Sequence, residues 1–264
     1  MEKYLAENHA SDECTNNITT ILKEGEQIED LQYKGFKIIQ NNKGFKFGVD
    51  AVLAAYYSEE LIKPTDRVLD LGTGTGIISI LVAARTKAVE ICGVEIQEDV
   101  ADMAQRSVKL NGLEDRIRII VDNISNGKYF KKAYFDHVIT NPPYKKADSG
   151  IINPSNSKAI SRHEVFCTLE DIIALSASSL KQYGVFTMIN RPERLCDCME
   201  LLRKYKMEPK TIRFVYPTQD KAPSMFLVRA IKNGGAHLNN EPPLFIFDSN
   251  GNYTEELNSI YNRD

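Results

Sequence analysis

Short β-branched apolar runs alternate with segments of helical periodicity from Arg67 onward, and this alternation restricts the fold more than any other feature of the chain. Such an order is typical of a parallel sheet wound with helices on both faces. Apolar runs predict strands at residues 67–71, 88–94, 116–121, 134–140, 184–190, 207–215 and 225–231. Because no helical segment separates the last two strands, we expect an antiparallel end to the sheet. The sequence therefore predicts an α/β fold with a doubly wound, seven-stranded, mostly parallel sheet whose last strand is antiparallel.

The length of 264 residues is sufficient for one sizeable core with short appendages. Apolar residues make up 42% and charged residues 26%, which is ordinary globular composition and leaves no reason to expect a second core. We predict a partly disordered N-terminal appendage over residues 1–40 and the main domain over residues 41–233. In the tail over residues 234–264, Asn250-Gly251 predicts a hairpin-like element that packs on the core.

The start of the chain lacks a basic region followed by an apolar stretch, and the longest apolar run, residues 77–84, is too short to span a bilayer. Five scattered cysteines without Cys-x-x-Cys pairs argue against a disulfide framework and a structural zinc. We expect a cytoplasmic, monomeric protein that binds neither membrane nor metal. The net charge of −3 provides no overall basic field for nucleic acid, although lysines cluster within residues 128–146.

A glycine-rich segment, Asp70-Leu71-Gly72-Thr73-Gly74-Thr75-Gly76, lies where the first of these strands turns into a helix. Its glycines allow the backbone to approach a ligand closely, which indicates a nucleotide-like cofactor. The spacing Gly-x-Gly-x-Gly differs from the dinucleotide pattern Gly-x-Gly-x-x-Gly. In addition, the Asp70 carboxylate would repel a pyrophosphate but attract the ammonium of a methionyl group. Both features favour S-adenosylmethionine over NAD.

Two further acidic residues follow predicted strands. Glu95 ends the second strand, 25 residues after Asp70, where it could accept hydrogen bonds from ribose hydroxyls. Asp122 follows the third strand, where it could accept from the exocyclic amine of an adenine. Each acid alone could be a helix cap or a solvated charge. Three acids at successive strand ends instead indicate one cofactor site along the carboxyl edge of the sheet.

The fourth predicted strand is followed by Asn141-Pro142-Pro143-Tyr144, a segment suited to holding a planar amino group. The Asn141 side-chain oxygen and the Pro142 carbonyl are two acceptors, the prolines restrict the backbone, and Tyr144 offers a face for stacking. In the mechanism that we favour, the held nitrogen attacks a sulfonium methyl in line and needs no general base. The tetrapeptide alone could also be a strand-ending turn, since Asn-Pro is a common turn dipeptide.

Taken together, these motifs resemble class I S-adenosylmethionine-dependent methyltransferases, which have a Rossmann-like fold, and within them the enzymes that methylate amino groups. Four finer segments, at residues 44–54, 93–97, 161–164 and 190–195, are similar to the bacterial tRNA1(Val) adenine-N6 methyltransferase family. That family modifies the adenosine beside the anticodon. The resemblance covers nearly the whole chain from about Gly25 and implies tRNA as the partner.

The resemblance also implies roles for individual residues. It implies cofactor binding by Asp70, Gly72, Gly74, Glu95, Ile96, Asp122 and Asn141, together with Phe47, Gly48 and Asp50 from a segment that closes over the methionyl end. It implies that the catalytic residues Asn141, Pro142 and Tyr144 hold a flipped adenine. Substrate contacts are implied for Pro143, Tyr144, Lys145, Lys146 and Arg191.

Other functions compete with this interpretation. A glutamine-N5 methyltransferase of release factors would hold a side-chain amide with the same tetrapeptide, although such enzymes carry a helical N-terminal domain that the short segment before the core does not match. A DNA adenine methyltransferase would need a target-recognition domain. A non-catalytic scaffold would have no need for Asn141 and Tyr144, and Asp70 disfavours a dinucleotide-dependent oxidoreductase. His163 could be catalytic, or it could have a structural role or contact the substrate. Arg191 could contact RNA or form a salt bridge at the start of a helix.

Overall fold

A twisted sheet forms the centre of the computed structural model, which describes residues 21–42, 48–126, 131–143 and 167–262. The strands are β1 (Glu26–Asp30), β2 (Lys37–Asn41), β3 (Arg67–Leu71), β4 (Glu90–Glu95), β5 (Ile117–Val121), β6 (Phe135–Thr140), β7 (Leu180–Asn190), β8 (Met207–Tyr216), β9 (Met225–Lys232), β10 (Asn239–Asn240) and β11 (Leu244–Phe245). The helices are α1 (Val49–Glu59), α2 (Ile77–Arg85), α3 (Glu98–Leu110), α4 (Leu169–Ser179), α5 (Leu195–Lys204) and α6 (Glu255–Ile260). Short 3-10 helices lie at Ile124–Asn126 and Pro192–Arg194.

The seven long strands of the sheet have the order β8-β9-β7-β6-β3-β4-β5. Strands β3 to β7 are parallel, whereas β9 is antiparallel to both of its neighbours, β7 and β8. The predicted seven-stranded, mostly parallel sheet with an antiparallel last strand is therefore confirmed. The two-residue strands β10 and β11 add parallel pairing along β8.

Side chains of the central strands point alternately into two apolar layers, because successive residues of a strand face opposite sides of a sheet. On β3, Val68 belongs to the apolar cluster that includes residues of α1, α2 and α6, whereas Leu69 belongs to the cluster that includes residues of α4 and α5. Strand β6 repeats this alternation with Val138 and Ile139. Burial on both faces explains the nearly continuous apolar runs from which the strands were predicted.

Local signals locate several helix ends. Helix α4 begins after Thr168, whose hydroxyl accepts from the Asp171 amide while the Asp171 carboxylate accepts from the Thr168 amide, so the two residues form a capping box. Helix α3 ends at Asn111, and Gly112 follows with a φ of 63°. In the part of the chain that the structure describes, no helix is both long and apolar enough to cross a membrane.

Strands β1 and β2 form an antiparallel hairpin that packs against the main core. Ile38 is fully buried, and the Ile39 amide donates to the Ser107 hydroxyl of α3 at 2.9 Å. Arg106 of α3 donates to both carboxylate oxygens of Glu26 in β1 at 2.6 Å. Strand β2 of this hairpin runs across residue 40, where the sequence analysis placed the boundary between the N-terminal appendage and the main domain.

Arg85, at the end of α2, joins four separate parts of the chain. Its side chain is 3% exposed and its Nη1 lies 2.9 Å from Oε2 of Glu59 in α1. The same guanidinium donates to the Ile260 carbonyl of α6 and lies 4.0 Å from the centre of the Tyr33 ring in the hairpin connection. Since the β1-β2 hairpin connection and α6 both contact this one cation, we infer that it stabilises their attachment to the core.

We expect Arg85→Met to lower the free energy of unfolding by about 2–4 kcal/mol, because it leaves a buried carbonyl and the Glu59 carboxylate without their partner. Urea denaturation followed by circular dichroism measures this change. The matched control is Arg118→Met, since Arg118 is 66% exposed and pairs with Glu90 at 3.8 Å. The control should change stability by no more than about 0.5 kcal/mol. Equal effects of both variants would contradict the role given to Arg85.

Candidate active site

Four polar residues of the sequence prediction meet at the carboxyl edge of the sheet. Asp70 lies one residue before the end of β3, Glu95 ends β4, Asp122 follows β5 and Asn141 follows β6. The strand register aligns these ends, because Leu71 pairs with both Val94 and Thr140 while Glu95 pairs with Val121. Carboxyl edges of this kind are the usual ligand sites of open α/β sheets.

Asp70 is fully buried and anchors the glycine-rich loop. Its Oδ2 accepts from the Thr73 hydroxyl at 2.6 Å, and from the amide and hydroxyl of Ser79 at 3.1 and 2.8 Å. Burial raises the pKa of Asp70 to about 6, although these hydrogen bonds act in the opposite direction. Its Oδ1 is also buried, and no described residue gives it a hydrogen bond. One oxygen therefore ties the loop and α2 to β3, and the other is a buried acceptor that needs a donor.

The loop backbone leaves open space beside two of its glycines, Gly72 and Gly74. Gly72 and Gly74 have φ values of 74° and 58°, and a Cβ added at either would meet no atom within 4 Å. Gly93 of β4 is different, since a Cβ there would lie 2.9 Å from the Thr73 hydroxyl and 3.0 Å from that of Ser79. Strand β4 can thus approach the anchored loop only through a glycine. The loop therefore packs closely against β4 and has open space at Gly72 and Gly74.

Glu95 is 2% exposed, and its carboxylate caps backbone amides. Its Oε1 accepts from the Ile96 and Gln97 amides at 3.0 Å, and its Oε2 accepts from the Gly74 amide at 3.1 Å. A carboxylate has about four acceptor positions, so about one position is left in this arrangement. The sequence predicts that Glu95 accepts from ribose hydroxyls. To accept from two of them, its side chain would have to give up some of these backbone contacts.

Two more buried acceptors lie along this edge. Asp122 accepts from the Asn123 amide with Oδ1 at 2.7 Å, while its Oδ2 is buried without a partner among the described residues. Gln40 of the hairpin is 2% exposed, and its amide nitrogen lies 3.5 Å from the Thr75 hydroxyl of the loop. Within the described ranges its Oε1 also has no partner. S-adenosylmethionine carries an ammonium, ribose hydroxyls and an adenine amine, which are the donors that such acceptors require, so these residues fit the cofactor.

Asn141 follows directly on a fixed strand end. The Thr140 hydroxyl donates to the Leu71 carbonyl at 2.9 Å, which joins the last residue of β6 to that of β3. The Asn141 side-chain nitrogen donates to Oδ2 of Asp50 at 3.1 Å, and Pro142 is buried. Asp50 is in the first turn of α1 and itself is 8% exposed. The amide of Asn141 is therefore held at the same edge as the acids.

Several predicted site residues lie outside the described residues, namely Phe47, Tyr144, Lys145, Lys146 and His163. Arg191 is described, and its guanidinium donates to the Ser224 carbonyl at 3.0 Å, between β8 and β9. It also precedes the 3-10 helix at Pro192–Arg194. This contact gives Arg191 a structural partner on the carboxyl edge, and its predicted substrate contact stays a prediction.

Sequence reasoning missed three residues that organise this edge. Thr73 and Ser79 fix Asp70, but hydroxyl residues near a glycine-rich loop are common and gave no separate signal. Gln40 was missed because the hairpin was interpreted as an appendage. Only Ile38 and Ile39 are apolar in the strand Lys37–Asn41, so the sequence pattern gave no clear signal that Gln40 is buried. Groups of three or more His, Cys, Asp or Glu side chains suited to a metal do not occur in the described part of the chain.

Comparisons with known proteins agree with this geometry. Residues 48–206 match the profile of the methyltransferase small domain family. A Bacteroides thetaiotaomicron protein named tRNA1(Val) (adenine(37)-N6)-methyltransferase is 30% identical over 160 residues, which are 60% of this chain and 65% of that protein. A Pedobacter heparinus protein of the same name is 25% identical over 227 residues, which are 85% of this chain and 93% of that protein.

Solved structures with the same fold include one titled a predicted O-methyltransferase, Atu636 from Agrobacterium tumefaciens. It has a TM-score of 0.66 and 24% identity, covering 81% of this chain and 96% of that one. A geranyl diphosphate methyltransferase in complex with S-adenosylmethionine has a TM-score of 0.52 and 13% identity, covering 69% and 85% of the two chains. The family profile spans more than half of the chain. The chain therefore belongs to the methyltransferase small domain family and is a class I, S-adenosylmethionine-dependent methyltransferase.

Proposed function

We propose that this enzyme transfers a methyl group to the exocyclic N6 of an adenine in tRNA, in the bacterial cytoplasm. The observation that carries the proposal is the position of the Asn141 amide on the sheet edge that also presents Asp70, Glu95 and Asp122. The relatives named tRNA1(Val) (adenine(37)-N6)-methyltransferase support an adenine beside the anticodon as the target.

The acids and glycines of the edge hold the cofactor in this proposal. The negative charge of Asp70 attracts the methionyl ammonium, and the loop at Gly72 and Gly74 gives that end of the cofactor room against the backbone. Glu95 accepts from the ribose and Asp122 from the adenine amine, while Ile96 lies between these two acids in the chain and contributes an apolar contact. When bound, S-adenosylmethionine supplies a methyl group on a positively charged sulfur.

Asn141 and Pro142 position the target amine. The lone pair of an adenine amine is delocalised into the ring, so acceptor bonds from the Asn141 side-chain oxygen and the Pro142 carbonyl help to localise it on nitrogen. These bonds strengthen as positive charge develops on that nitrogen, which lowers the barrier to transfer. Tyr144 stacks on the extruded base beside Pro143, and Lys145, Lys146 and Arg191 meet the flanking phosphates.

A glutamine side chain is the competing substrate, because its amide nitrogen needs the same two acceptors. Total tRNA, total DNA and a release factor are each incubated with the enzyme and methyl-labelled S-adenosylmethionine, and the products are digested and identified. We expect label on N6-methyladenine from tRNA. Label confined to N5-methylglutamine would overturn the adenine proposal and establish the alternative. Absence of label from all three substrates would instead favour a non-catalytic scaffold.

Replacing Asn141 tests the assignment of the amine-holding group. We expect Asn141→Ala to lower kcat by a factor of roughly 100 to 1,000 while leaving the Kd of S-adenosylhomocysteine within about threefold of wild type. Single-turnover methylation and isothermal titration calorimetry provide the two measurements. A large loss of S-adenosylhomocysteine affinity with unchanged kcat would mean that Asn141 binds the cofactor instead.

Cofactor affinity should depend on pH through Asp70. Its pKa of about 6 is raised by burial, so the carboxyl is ionised above pH 6 and takes up a proton as the pH falls through that value. Because the ammonium of S-adenosylhomocysteine favours the ionised form, its affinity should fall by up to about tenfold per pH unit below pH 6. Titration calorimetry from pH 5 to 8 checks this expectation. Asp70→Asn should bind S-adenosylhomocysteine weakly at pH 8, and its affinity should not change between pH 5 and 8. A wild-type affinity that does not change over this range would contradict the role given to Asp70.

A further inference from the structure

We propose that Asp50 is a positioning residue that fixes the orientation of the Asn141 amide during methyl transfer. This inference rests on the proposed function, since it concerns the group that holds the target amine. Asp50 Oδ2 accepts from the Asn141 side-chain nitrogen at 3.1 Å, and Asp50 Oδ1 accepts from the amide of Ala51 at 3.0 Å. Both oxygens of this buried carboxylate therefore have defined donors.

The chemistry of the pair determines which end of the Asn141 amide faces Asp50. A primary amide has an accepting oxygen and a donating nitrogen of similar size, and it can rotate to exchange them. An ionised carboxylate only accepts, so the nitrogen must face Asp50. The oxygen, which is the other branch of the amide group, then points away from Asp50. In this orientation it is the amide oxygen, the atom that an amine substrate needs, that faces away from α1.

Local structure holds Asp50 in this position. It is the second residue of α1, where the helix dipole favours a negative charge. Gly48, two residues earlier, leaves room for the carboxylate, since a Cβ at residue 48 would lie 2.6 Å from Asp50 Oδ1. The carboxylate and a larger residue at position 48 could not both keep these positions. A larger residue at position 48 would therefore require the Asp50 carboxylate to move, and this makes Gly48 a second position at which the inference can be tested.

The charge of Asp50 also assists the reaction. A carboxylate that accepts from the amide nitrogen polarises the amide and makes its oxygen a stronger acceptor. The acceptor bond from Asn141 to the target amine then gains strength as that amine becomes positive. Loss of Asp50 should therefore affect transfer rather than cofactor binding. The sequence resemblance instead implied that Asp50 contacts the methionyl end, so the two roles predict different kinetic effects.

Asp50→Ala and Asp50→Asn separate these roles. We expect Asp50→Ala to lower kcat about 100-fold on the substrate that the wild-type enzyme methylates, because the Asn141 amide is then misplaced. The Kd of S-adenosylhomocysteine should stay within about threefold of wild type. Asp50→Asn keeps an accepting oxygen but can also present its nitrogen, so its kcat should be intermediate, about tenfold below wild type. Partial rescue by asparagine is not expected of a residue that only supports the fold.

Asp99→Asn is the matched control, because Asp99 is likewise the second residue of its helix, α3, and is exposed. It should retain wild-type kcat. Gly48→Ala is a second variant that keeps the charge and requires the end of the Asp50 side chain to move, so its kcat should lie between those of wild type and Asp50→Ala. Thermal unfolding of each variant shows whether its fold is retained.

A measurement without turnover completes the test. The side-chain amide signals of Asn141 in ¹⁵N-labelled protein, identified by their loss in Asn141→Ala, should move in Asp50→Ala but stay in place in Asp99→Asn. Unchanged Asn141 signals or a wild-type kcat in Asp50→Ala would overturn the inference. A more than tenfold weaker S-adenosylhomocysteine affinity with normal kcat would also overturn it, in favour of a cofactor contact. A wild-type enzyme that methylates glutamine but not tRNA would refute only the adenine substrate, and the Asp50 comparison would proceed on glutamine.

Discussion

The buried carboxylate of Asp70 is the interaction on which the active edge depends. Three donors from Thr73 and Ser79 converge on one of its oxygens, and so the end of β3, the glycine-rich loop and the start of α2 become one unit. Burial of an acid is costly, as the raised pKa indicates. Asp70 is also the residue that we propose attracts the cationic ammonium of the cofactor. In this proposal, the same buried charge lowers the stability of the fold and favours cofactor binding.

Strand register brings three further candidate site residues to the same edge as this unit. Glu95, Asp122 and Asn141 are far apart in the chain, but parallel pairing brings the ends of β3, β4, β5 and β6 to the same level. The Gly74 amide contacts Glu95, which joins the loop to the neighbouring strand. The residues that we propose bind the methyl donor and hold the acceptor consequently lie on one frame of paired strands. Their relative positions are determined by backbone hydrogen bonds more than by flexible loops.

Much of this frame could be predicted from local sequence, because strands buried on both faces have continuous apolar runs and helix ends carry capping residues such as Thr168. The charge of Asp70 and the acids at strand ends indicated the type of cofactor. Contacts between distant segments left no comparable signal. Gln40 reaches Thr75 from a hairpin that looked like an appendage, and the bond between Asp50 and Asn141 joins residues 91 positions apart. Such pairs depend on tertiary packing that periodicity does not encode.

The insertion of β9 between β7 and β8 has a consequence for biosynthesis. Strand β8 is translated before β9 but has no hydrogen-bonding contact with β7, so its main ladder forms only after residue 232 has left the ribosome. The parallel strands β3 to β7, which carry the acids and Asn141, can pair earlier. During this interval β7 has an open edge and β8 exposes Met207, Ile212 and Val215. We expect nascent chains at this stage to present an unpaired strand edge and apolar side chains, which favour aggregation and chaperone capture.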